Sequence, residues 1–159
     1  MPLQVFVASR SPASLVTGKL TTTLLEENGE VTGANETVVF NDMVPLTAGP
    51  SRVAVGRVLD GEGRSVPRVF VVSFDSRYVV IYDPRAHRIE GIVRTGRGPH
   101  ALAFDVSAKS GTDDGHALLY VAHFTDSYVG VVDLDTRNAQ TFGSMFATVG
   151  TPTPPKESN

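Results

Sequence analysis

Arg52, Asp75, Arg77, His100, His123 and Asp126 are the residues whose types and placement could do chemistry in this chain. Two imidazoles and a carboxylate, His100, His123 and Asp126, are ligand types that suit zinc, iron or copper. Asp75 and Asp126 are a carboxylate pair of the kind that acid–base work uses. Each feature also has a plain structural reading. Two histidines without a closely spaced motif are commonly surface or hydrogen-bonded residues, and turn aspartates bond their own backbone. No catalytic residue and no metal ligand is therefore assigned, and the six are read as one ligand-binding face.

Other chemical signatures fall short. "SGTDDGH" at 110–116 is acidic and glycine-bearing but lacks the spacing of a calcium loop. "GRG" at 96–98 has neither the Lys nor the helix of a phosphate loop. "NET" at 35–37 is a glycosylation acceptor only in a pathway that glycosylates. The G-x-S-x-G nucleophile elbow is absent. No cofactor is expected.

Composition narrows the classes further. The 159 residues suffice for one domain with a real core, and 41% hydrophobic with 19% charged residues fits a folded chain. The net charge of −3, with no clustered Lys and Arg, argues against nucleic acid as a partner. There is no cysteine, hence no disulfide, thiolate site or Cys nucleophile. No apolar run approaches the roughly 20 residues of a membrane helix. "MPLQVFVASR" lacks the regions of a signal peptide and enters a strand pattern at once, which reads as a segment of something longer.

The elements that must position the six residues come from an internal repeat. "VFVVSFDSRYVVIYD" at 69–83 aligns with "LYVAHFTDSYVGVVD" at 119–133 through Val71/Val121, Phe74/Phe124, Tyr78/Tyr128, Val79/Val129 and Asp83/Asp133. Gly49-Pro50 falls on Gly98-Pro99 upstream, and the one-residue difference in spacing belongs to loops, which tolerate insertions. A weaker copy begins with "VFVASR" at 5–10, its extra length in 24–37, a hairpin insertion or long loop built on Asn28-Gly29 and Gly33-Ala34-Asn35. The repeat places Ser51 or Arg52 opposite His100 and Ser73 opposite His123, so the repeat itself does not require the histidines.

Val, Ile, Phe and Tyr in runs of four to seven predict strands over 52–58, 69–74, 78–83 and 88–94, then over 101–106, 118–124, 128–133 and 139–142. Turn residues join them, and no sustained 3.6-residue stripe predicts a helix. Four antiparallel strands at a period of about fifty residues is the pattern of a propeller blade. The expected fold is all-β, a partial β-propeller: an incomplete first blade over 1–47, a second over 48–95, a third over 96–149, and a Pro-rich extended or disordered tail over 150–159.

"LYVAHFTDSYVGVVDLDT" and the lead-in "GRGPHALAFD" resemble the YVTN-type β-propeller repeat, with Tyr120-Val121-Ala122-His123 in the naming position and Phe70-Val71-Val72-Ser73 one unit earlier. His123 and Ser73 stand where that pattern favours Asn. The resemblance covers 48–142 well and 4–47 poorly. It implies a ligand face at the end shared by the lead-in and middle turns, and an exported, periplasmic or cell-surface setting. The resulting expectation is a non-catalytic binding or scaffold segment, whose partners are remaining blades or further copies that cover open sheet edges, with a protein or small-molecule ligand. The alternative is a fragment of a propeller enzyme, lactonase-like or quinoprotein- or haem-linked, with a metal or cofactor at the channel mouth.

Overall fold

Turn chemistry at Asn28-Gly29 sets the longest element. In the computed structural model, which describes residues 3–150, both residues have positive φ (54° and 83°), the two-residue turn whose twist matches its flanking strands. Around it run β2 (Ala13–Glu27) and β3 (Glu30–Pro45), paired from Ser14↔Pro45 out to Glu27↔Glu30. The segment 24–37 is thus a hairpin, not a loop. β1 (Gln4–Arg10) pairs with β2 and completes a three-stranded first sheet.

The second sheet is the meander β4 (Pro50–Leu59), β5 (Ser65–Ser73), β6 (Tyr78–Asp83) and β7 (Arg88–Arg94). The third is β8 (Pro99–Ser107), β9 (His116–His123), β10 (Val129–Asp133) and β11 (Met145–Val149). All pairs are antiparallel, and the described residues form no helix. The protein is all-β. The tail expected over 150–159 lies, beyond Gly150, outside the described residues.

One strand expectation is wrong. Residues 139–141 are turn, Phe142 makes only an isolated bridge to Asp133, and the outer strand of the third sheet is β11, further along. Asp133 explains the displacement: its Oδ2 accepts from Asn138 Nδ2 and Thr141 Oγ1, and its Oδ1 from the Asp135 N–H. These bonds coil 134–144 into successive turns and carry Phe142 inward against the core.

The second sheet lies between the other two. One of its faces, Phe70, Val72, Val79, Ile81 and Val93, packs on Leu119, Val121 and Val132 of the third sheet, with Phe70 and Phe104 ring centroids 4.8 Å apart. Its other face, Val69, Val71, Val80 and Tyr82, packs on Phe6, Ala8 and Leu15 of the first. Strand alternation then turns Tyr120, Ala122, Val129 and Val131 to the far side of the third sheet, and Val5, Val7 and Val16 to the far side of the first. On that first-sheet face Val7 is 41% and Met43 54% exposed.

Candidate functional site

Antiparallel order brings the 46–49, 74–77, 95–98 and 124–128 connections to one end of the stack, beside the 11–12 turn. The backbone contacts of the repeat recur there. Gly49 and Gly98 both have positive φ (80° and 69°), and their carbonyls accept from the Phe74 and Phe124 N–H at 2.8 and 2.7 Å. A Cβ at Gly49 would strike Asp75, and one at Gly98 would strike Thr125, so the lead-in turn closes directly over the middle turn. Pro50↔Ser73 and Pro99↔His123 pair in the same register, each followed by a bulge. Arg77 and Ser127 share positive φ (61° and 56°).

One link keeps its place and reverses its polarity. Ser76 Oγ donates to the Ala48 carbonyl, whereas Asp126 Oδ2 accepts from the Arg97 N–H at 2.6 Å. The repeat therefore fixes where a side chain reaches across, not whether it gives or takes the proton.

The histidines part company. His123 is buried and stacks on Tyr128, centroids 4.2 Å apart. Its Nε2 faces the Gly96 N–H at 3.1 Å and accepts from it; Nδ1 therefore carries the proton and donates to the Tyr128 carbonyl at 3.3 Å. Both ring nitrogens are spent on backbone, so no lone pair is left for a metal. Burial holds the ring's pKa below that of an ordinary histidine, with the Tyr128 carbonyl and the Asp126 carboxylate opposing. His123 thus ties the 95–98 turn to the 124–128 turn. His100 is exposed beside Phe124, ring centroids 6.5 Å apart. Among the described residues no group of His, Asp and Glu gathers into a metal cage.

The carboxylates are likewise separate. Asp75 pairs with Arg10 at 3.0 Å, a contact between the first and second sheets that is exposed on both sides. Asp126 pairs with Arg97 Nε at 2.9 Å, and its pKa is lowered by the Arg97 N–H first and by the guanidinium after it. Each carboxylate has its own arginine: Asp75 joins two sheets, and Asp126 fastens the 95–98 turn.

Arginine is what sequence reasoning undercounted. Besides Arg52 and Arg77, this end carries Arg10, Arg94 and Arg97, and among the described residues Asp75 and Asp126 stand against them, so the described part of this end is net positive on a chain of net charge −3. Arg52, Arg77 and Arg94 are exposed and have no ion-pair partner among the described residues. Arg94 was legible as the residue paired with Tyr78 at the strand end, and Arg97 as the neighbour of Gly98. The arrangement offers donors and positive charge to an acidic partner.

No protein-family model matches this chain, and no curated protein or solved structure matches it either.

Proposed function

We propose that the chain is a non-catalytic β-propeller segment that serves as a binding and scaffold surface. On this reading the three sheets are successive blades, the first without its innermost strand, and the arginine-rich turn end is the ligand face. The resemblance to YVTN-type repeats supports it and adds the exported or cell-surface setting.

One observation carries the reading. Phe70, Val72, Val79 and Ile81 of the second sheet are 0% exposed because the third sheet covers them. The same repeat positions in the third sheet are Tyr120, Ala122, Val129 and Val131, again apolar, on a face that no other sheet of the described residues covers; Val131 is buried there and the other three are half-buried. Positions written to be covered in one unit are written to be covered in the next. Remaining blades of a longer protein, or further copies of this chain, are what the face would take.

The test is solution mass and shape by light scattering with small-angle X-ray scattering. The expected result is self-association of the chain, reversed by Tyr120→Asp with Val129→Asp. A compact monomer, unchanged in mass over a wide concentration range and unaffected by the pair, would refute the proposal.

A further inference from the structure

At the opposite end, between the first and second sheets, lies a cleft of about 610 Å³ walled by Gln4, Lys19, Pro67, Pro84, Arg85 and His87 among others. A smaller cavity of about 10 Å³ shares Gln4, Lys19, Pro84 and His87 with it and reaches in to Thr17 and Tyr82. Tyr82 is 1% and Thr17 6% exposed, yet neither hydroxyl has a hydrogen-bond partner among the described residues. Native folds seldom leave two buried hydroxyls unsatisfied in one cavity. Around the mouth, Lys19 and Arg85 are exposed and have no ion-pair partner among the described residues. Of the nearby carboxylates, Asp83 is engaged by Arg68 and Asp42 accepts the Met43 N–H.

We propose that this cleft binds a small oxyanion, a carboxylate or a phosphate. One oxygen enters the inner cavity and takes hydrogen bonds from Tyr82 and Thr17, while Lys19 and Arg85 neutralise its charge at the mouth. The inner cavity has room for one such oxygen. Burial, with the carboxylates of Asp42 and Asp83 adding to it, raises the Tyr82 pKa and keeps the phenol protonated as a donor. Nothing in this site depends on how the sheets assemble with other blades.

The experiment titrates the full chain with inorganic phosphate and, separately, with citrate, read by calorimetry and thermal melting. Saturable binding of either anion, with a raised melting temperature, is expected, and which one binds assigns the group. Lys19→Ala and Arg85→Ala, both at exposed positions, should each weaken binding about tenfold. Tyr82→Phe should weaken it by a similar factor while leaving the anion-free melting temperature unchanged or higher, because the fold itself does not use that hydroxyl. Absence of saturable binding by both anions, or binding that all three variants leave intact, would overturn the proposal. So would a Tyr82→Phe chain that melts earlier but binds as before, the behaviour of a structural water pocket.

Discussion

The second and third sheets are built on one pattern, and they differ in what surrounds them. Phe70 and Tyr120 occupy the same place in the repeat, as do Val72 and Ala122, Val79 and Val129, Ile81 and Val131. In the second sheet all four residues are fully buried; in the third, Tyr120, Ala122 and Val129 are only half-buried. Alternation chooses the face a side chain takes, but a neighbouring sheet decides whether that face is dry. A second difference lies within an inner strand. Arg68 of the second sheet is 7% exposed and held by Glu90 at 2.7 Å and Asp83 at 3.1 Å, where the third sheet has Leu118. The Glu90 hydrogen bond is the main cause of that guanidinium's raised pKa.

Truncating the paired aromatics tests whether the two sheets differ in cover. Phe70→Ala should cost about 3–5 kcal/mol, the usual range for emptying a packed aromatic site. Tyr120→Ala should cost well under half of that in dilute solution, measured by urea unfolding. Equal losses would mean that the third sheet's outer face is already covered in the isolated chain.

The Arg68 cluster should give the next largest effect. Arg68→Leu copies the third sheet's Leu118 but strands two part-buried carboxylates, and a loss of about 3 kcal/mol is expected from breaking a buried ion pair on one side. Replacing Glu90 as well, with Arg68→Leu and Glu90→Leu together, should recover part of it. A double variant no better than the single would show that packing, not charge, holds this cluster.

The smallest effect separates Ser73 from its counterpart His123. Because burial depresses the folded-state pKa of His123, the unfolded chain binds that proton more readily. Stability from this position is present above the unfolded histidine pKa, near 6.5, and is lost as pH falls toward the lower folded value. Thermal melting should therefore drop between neutral and mildly acidic pH, and His123→Asn should flatten the decline. A profile identical in both chains would remove His123 as its source.

Much of this architecture was readable beforehand. The strand over 78–83 follows from an unbroken run of Tyr, Val and Ile, and that over 88–94 from Ile and Val between turn residues; the structure keeps both limits. The gathering of the lead-in and middle turns at one end follows from antiparallel order alone. The expected strand at 139–142 failed because Asp133 draws the following residues into turns: nothing in "NAQTF" says that Asn138 and Thr141 will reach back five and eight residues to a carboxylate. Within the six-residue face, the placement of the turns was legible and the pairing of charges was not. Asp75 finds Arg10 across 65 positions, and Asp126 finds Arg97 across 29.

By itself, the sequence determined what depends on short range: the period of the repeat, the two-residue alternation of each strand, and the glycines that turn the chain at 49 and 98. Those are properties of local sterics and of side-chain direction along a strand. Only the tertiary structure decided that His123 is locked between two backbone groups, that the described part of the turn end is net positive, and that two hydroxyls without partners among the described residues line one cavity between the first and second sheets. Each of these needs segments far apart in the chain to be brought within a hydrogen bond or a few ångströms of one another, and no local pattern encodes that distance.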